Sequence, residues 1–235
     1  MVNIIAGCPT AGRAWILPQW KEAVDRACPH DVELSYALSI PKWDTDTLDI
    51  VSNWSGAHIM VTDEQPRLDQ RDWSSQDRYH DMVNLRNNQL RYVRTAMPTY
   101  YLSLDSDILL APKALEEMIE TLELNQADAV GSLTYLDPVD PTCTNLATWV
   151  NPDAPGVFRR VEAPGQHPVN VLMAIKLMGN LAYNINYEYH HYGEDFGWSI
   201  AAYKARARIF CDGRSPSKHV MSPEWLDRVD KRVGY

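Results

Sequence analysis

Apolar residues fall in short dense runs separated by polar stretches of helical spacing, and this pattern predicts alternating strands and helices. Residues 2–10 (VNIIAGCPT) are an apolar run closed by a turn, as in a buried strand. Residues 13–27 (RAWILPQWKEAVDRA) have helical spacing, with Pro18 an irregularity in the first turns. Strands follow over 32–39 (VELSYALS) and 57–63 (AHIMVTD), with a short helix at 47–54 between them. The polar segment 64–80 has no clear period and reads as a loop. Helical spacing returns over 82–96, with Met82, Leu85, Leu90 and Val93 as the apolar positions. A strand is expected at 100–104 (YYLSL). A helix over 112–124 then opens on Pro112, a position where proline fits, and a strand covers 127–135.

This order argues for an α/β fold, a mixed and mostly parallel sheet flanked by helices, and 235 residues suffice for one large domain or two small ones. Ligands of such sheets bind beyond the carboxyl ends of the strands. The turn after Thr10, Asp63 and the pair Asp105 and Asp107 all fall at such ends. The second half changes character. Residues 136–168 are rich in Pro, Asn, Asp and Gly and read as a long irregular stretch, the kind of loop that tends to be functional. The apolar run VNVLMAIKLM (169–178) follows, and GEDFGW (193–198) reads as a loop entering a helix that runs to about Arg206. There is no internal repeat and no low-complexity tract.

The net charge of -9 argues against bulk nucleic-acid binding. The charge is uneven: Lys204 to Tyr235 holds eight Lys and Arg against four Asp and Glu, which suits either a polyanion or a solvated face. The four cysteines form no C-x-x-C pair, so a structural zinc site is not expected, and free thiols in a reducing compartment are. The N-terminus lacks a basic region and a long apolar run, and no stretch approaches the ~20 apolar residues of a membrane span. A cytoplasmic protein is the expectation. Eight Trp and twelve Tyr against three Phe suit pocket rims and polar ligands as well as core packing.

The stretch YYLSLDSDILLAP (100–112) carries the most chemistry. Side chains at i and i+2 of an extended segment share a face, so Asp105 and Asp107 are expected to converge on one cation. Hard divalent ions take oxygen ligands and leave positions for phosphate oxygens. D-x-D alone is a weak pattern: Asp44 and Asp46 form a second copy, in a polar loop with no apolar strand before it. The copy at 105–107 follows a strand expected to be central, where unpaired acids are costly to bury.

LRNNQLRYVR, then YYLSLDSDILLAP, a helix, GEDFGW and KHVM, in this order and spacing, resemble metal-dependent glycosyltransferases of the GT-A fold, closest to family-2-like enzymes and fungal mannosyltransferases. The resemblance runs from residue 2 to about 221, with 136–168 unmatched. It implies one Rossmann-like GT-A domain over 1–235, with a nucleotide-sugar donor half at 1–110. The acceptor half and a C-terminal metal-ligand segment would occupy 111–235. By the same resemblance, Asp105 and Asp107 bind Mn²⁺ or Mg²⁺ and the donor diphosphate, with Ser106 beside them. Asp107 is then the direct metal ligand, Asp105 can instead reach the ribose, and His219 completes the metal site. Pro9, Thr10 and Arg13 match the P-T-x-x-R nucleotide turn. Asp63 would contact the nucleobase or ribose, and Arg86 and Asn87 match an arginine–asparagine pair on the helix lining the donor site. Glu194 and Asp195 match the E-D motif near the acceptor, with Asp195 as general base in an inverting transfer. Tyr192 and Trp198 would stack on the acceptor side. A uridine diphosphate sugar is the implied donor.

Two other readings stay open. Sugar-nucleotide nucleotidyltransferases share the sheet architecture but open on a Gly-rich loop, which GCPTAGR is not. A non-catalytic nucleotide- or sugar-binding module would not need the whole set of acids and His. The acceptor is open among a small metabolite, a glycan, a protein and a modified DNA base.

Overall fold

The computed structural model describes residues 1–63, 76–137, 140, 142–151, 157–161 and 165–226. The first strand, β1 (Val2–Pro9), sends Ile4, Ala6 and Cys8 into one core cluster and Ile5 into another. That is the period-two alternation of a strand covered on both faces. β4 (Tyr100–Leu104) repeats it: Tyr100, Leu102 and Leu104 face the first cluster and Tyr101 the second. Helices α1 (Leu17–Ala27), α2 (Thr45–Val51) and α4 (Ala114–Leu124) pack on the first face. Helices α3 (Gln76–Ala96), α5 (Asn180–Tyr183) and α6 (Glu194–Lys204) pack on the second.

The remaining strands of the main sheet are β2 (Val32–Pro41), β3 (Ala57–Thr62), β5 (Ile108–Leu109), β6 (Ala129–Thr134), β9 (Gln166–Pro168), β11 (Ile175–Met178) and β12 (Ile209–His219). Their order is β3-β2-β1-β4-β11-β6-β12-β5, with β9 beside β12. β11 runs antiparallel to both β4 and β6, and β5 and β9 run antiparallel to β12; the other pairs are parallel. The chain is therefore a single α/β domain around a mostly parallel, Rossmann-like sheet; the α/β class and the mostly parallel sheet are what its pattern predicts. Among the described residues no helix is long and apolar enough to cross a membrane.

Several boundaries differ from expectation. α1 starts at Leu17 rather than residue 13, because Pro18 lies in the first turn, where its missing N–H costs nothing. α4 likewise starts two residues after Pro112. The expected loop 64–80 gives way to helix at Gln76; residues 64–75 lie outside the described residues. Residues 136–168 are not wholly irregular. They contribute β9, β7 (Leu146–Trp149) and β8 (Phe158–Arg160), and β7 and β8 join β10 (Val171–Leu172) in a small antiparallel sheet. These strands are too short to display a period. In the basic C-terminal region, Arg214 is committed to Asp212 and Glu120, and Lys218 donates to the Leu226 carbonyl. Arg228, Lys231 and Arg232 lie outside the described residues. All four cysteines are free thiols.

Candidate active site

The chain runs from β1 to β2 to β3 on one side, then returns to place β4 on the other side of β1. The carboxyl ends of β1 and β4 thus flank a topological switch point, where α/β sheets leave a crevice. A cavity of about 610 Å³ opens there. Its walls bring together Pro9, Thr10 and Arg13 after β1, Asp105, Ser106 and Asp107 after β4, Tyr192, Glu194 and Asp195 at the start of α6, and His219 at the end of β12.

The two aspartates do not converge. The Ile108 N–H donates to the Asp105 carbonyl (3.2 Å), which closes a turn where extended chain was expected. The Trp20 indole N–H, buried under α1, donates to the same carbonyl (3.0 Å). Asp105 consequently reaches Arg86, whereas Asp107 reaches Arg13 Nη2 at 2.9 Å and lies 3.7 Å from His219 Nε2. Arg13 also donates to the Met221 carbonyl (3.2 Å), so it ties the first turn to both the D-S-D turn and the C-terminal segment. Burial alone would raise the Asp107 carboxyl, but His219 and Arg13 outweigh it and hold it below the ordinary carboxylate range. Burial likewise disfavours the His219 cation, yet Asp107 outweighs it and raises the imidazole.

Among the described residues no group of three or more His, Cys, Asp or Glu side chains is arranged to hold a metal. A two-ligand site is a different matter. His219 Nδ1 sits 3.2 Å from the Leu136 carbonyl, which assigns it the proton in the neutral ring and turns the Nε2 lone pair toward Asp107. A lone pair facing a carboxylate requires a proton or a cation between them. Asp107 and His219 would supply two ligands to a divalent cation, Mn²⁺ or Mg²⁺, whose other positions phosphate oxygens and water would have to fill. Asp105, held by Arg86, falls outside that set.

Behind the cavity lies a buried polar layer, and the strand register explains it. Ser103 and Asp105 share the face of β4 toward α3, and Lys176 on β11 is the cross-strand partner of Ser103. Arg86 on α3, fully buried, donates to Ser103 Oγ (3.0 Å) and to Asp105, and its Nε lies 4.0 Å from Glu194 Oε1. Lys176, also fully buried, donates to Asp195 Oδ1, and the Ala174 N–H donates to Asp195 Oδ2 (2.9 Å). Ala174 has a left-handed backbone (φ 63°), unusual outside glycine, and its carbonyl accepts from the Asp105 N–H (2.9 Å). One strained residue therefore connects both acidic motifs. Burial would raise Asp195, but Lys176, Arg86 and the Ala174 N–H keep it below its ordinary value. Glu194 is pushed up to about 7 by burial first and then by Asp195 and Asp105, against the pull of Arg86.

Four expected residues lie elsewhere. Asp63 ends the edge strand β3, away from the switch point, with its side chain 89% exposed and paired to Lys42 at 2.7 Å. Arg86 stands behind the cavity wall rather than in it. Asn87 clasps the Tyr187 backbone, donating to its carbonyl and accepting from its N–H, both at 2.9 Å. Trp198 is fully buried in the core beneath Tyr187. The second D-x-D is a fold element: Asp44 caps α2 through the Thr47 N–H and accepts from the Gly12 N–H (2.6 Å). Lys176, Ala174 and Phe196 were not anticipated; Phe196 packs with Phe158 and Tyr192 at the cavity rim. The signal for Lys176 was available, as the one charge in the apolar run 169–178.

Both glycines of GEDFGW are structural. Gly193, at the helix N-cap, has φ 116°, and a Cβ on Gly197 would meet the Glu188 carbonyl oxygen at 1.8 Å. Gly197→Ala is expected to destabilise the fold by about 3 kcal/mol, because backbone rather than a movable side chain would have to yield. Urea denaturation measures it, and an unchanged midpoint would show that the 188–193 segment moves freely. No protein-family model matches the chain, and no curated protein matches it significantly.

Proposed function

We propose that the cavity transfers a sugar from a nucleoside diphosphate, a uridine diphosphate by the resemblance, to an acceptor hydroxyl. The observation that carries this reading is the meeting of two kinds of chemistry in one cavity at the switch point. Arg13, Asp107 and His219 line one side with groups suited to a diphosphate and a cation, and Glu194 and Asp195 line the same cavity with groups suited to acid–base work. A divalent cation held by Asp107 and His219 would supply charge neutralisation for the departing diphosphate. Arg13 binds phosphate oxygens as a planar donor, which requires it to exchange Asp107 for the ligand. The acceptor oxygen attacks the anomeric carbon, the bond from that carbon to the diphosphate oxygen breaks, and a carboxylate of the Glu194–Asp195 pair takes the acceptor proton. One displacement of this kind inverts the anomeric centre.

Thermal shift with UDP, GDP, CDP, dTDP and ADP, each with Mn²⁺ or with EDTA, tests the reading. One diphosphate is expected to raise Tm only when Mn²⁺ is present. Asp107→Ala is expected to keep the circular dichroism spectrum, abolish that shift and lower transfer by about 100-fold or more. No shift with any diphosphate in the native protein would overturn the assignment.

A further inference from the structure

The buried polar layer holds two cations, Arg86 and Lys176, against three carboxylates, Asp105, Asp195 and Glu194. Asp105 is paired with Arg86, and Asp195 has Lys176 on one oxygen and the Ala174 N–H on the other. Glu194 is the carboxylate left over. Among the described residues the one cation within 4.0 Å of it is Arg86, whose Nε is too far for a hydrogen bond and is buried with no hydrogen-bond partner. Glu194 nonetheless lines the cavity, at 13% side-chain exposure. We infer that Glu194 carries the exchangeable proton of this site and is the base that receives the acceptor proton, while Asp195 is a fixed anion positioned by Lys176 and Ala174.

This inference rests on the transfer reading above and reverses the roles that the resemblance gives the two acids. Three considerations favour it. An acid whose oxygens already accept from a buried ammonium and an amide N–H gains little by taking a further proton. A carboxylate in excess over its counter-ions is close to balance between its two forms, which is what a base needs near neutral pH. The charged groups acting on Glu194 are Arg86 on α3, Asp105 after β4 and Asp195 on its own helix, with the Tyr187 hydroxyl as the polar neighbour; Lys176 on β11 meets Asp195, and Arg13, Arg78, Asp81, Asp107, Arg160 and His219 line the same cavity. Within the buried layer Asp105 and Asp195 already balance Arg86 and Lys176, so an ionised Glu194 adds a charge without a counter-ion there, and the upward shift of its carboxyl agrees. In the transfer step the acceptor O–H proton passes to Glu194, the new C–O bond forms, and the electron pair of the broken C–O bond stays on the diphosphate. The proton later leaves to solvent.

Infrared titration of carboxyl groups between pH 5 and 9 tests the assignment without any substrate. The native protein is expected to lose one protonated-carboxyl signal near neutral pH. Glu194→Gln should lack that signal, while Asp195→Asn and the acid-retaining Glu194→Asp should keep one. With the donor in hand, Glu194→Gln should retain the Mn²⁺-dependent diphosphate shift and lose transfer by about 100-fold or more. A signal that survives in Glu194→Gln, or that is missing from the native protein, would overturn the assignment, as would near-normal transfer by Glu194→Gln. Failure of the transfer reading is separately visible, as absence of any diphosphate shift in the native protein.

Discussion

Replacing Lys176 by methionine is expected to destabilise the protein by about 3–5 kcal/mol at neutral pH, the usual cost of breaking a buried pair from one side. Lys176 is fully buried, and its ammonium meets Asp195 between the rings of Tyr187 (5.4 Å) and Trp198 (5.9 Å). Methionine fills much of the same space, so the loss is electrostatic rather than a cavity. It leaves Asp195 with the Ala174 N–H and a more distant Arg86, inside a layer that would then hold one cation against three acids. The double variant Lys176→Met/Asp195→Asn should recover more than half of the lost stability, because it removes the stranded charge with its partner. Urea denaturation at pH 7 of the native protein and both variants measures this. If Lys176→Met costs less than about 1 kcal/mol, Asp195 is solvated in solution and the layer is not closed.

The same layer marks where reading the chain stops being sufficient. Dense apolar runs place β1, β2 and β4 well, since a strand covered on both faces needs nothing else. α3 was legible as a helix, but not for what it turns inward. Leu90 and Val93 are buried as its spacing predicts, while Met82 and Leu85 border the cavity, and the fully buried positions include Arg86 and Gln89. Polar residues on a helix ordinarily form its wet face. What reverses this here is Asp105, Ser103 and Tyr101 on the strand opposite, and no local period can report that. Asp63 failed for a topological reason. It ends a strand, as a ligand-binding residue of such a sheet would, but the strand lies at the edge of the sheet and not at the switch point. Asp105 and Asp107 both reach the cavity wall, but not in the extended geometry expected of i and i+2, since a hydrogen bond from Ile108 closes a turn there and each acid has its own partner.

Glu194→Gln is expected to make the protein more stable at pH 8, by about 3 kcal/mol, while leaving stability almost unchanged below about pH 4.5. The sign follows from where the proton sits. The folded protein holds the Glu194 proton up to about 7, whereas the unfolded chain releases it near the ordinary value of 4.5. Between those values the folded state binds more protons than the unfolded one, so stability falls as pH rises, and the full cost is present above pH 7. Glutamine has the same shape and never ionises, so it escapes that cost. The comparison requires urea denaturation of both proteins at pH 4.5 and pH 8, with no substrate and no assumption about the reaction. An equal gap at the two pH values would mean that Glu194 is ionised in the fold without penalty, and the charge imbalance of the layer would then have to be met from elsewhere. A gap that opens with pH would identify a carboxylate held at a cost to the fold, facing a cavity, and stability given up in that way is characteristic of functional sites.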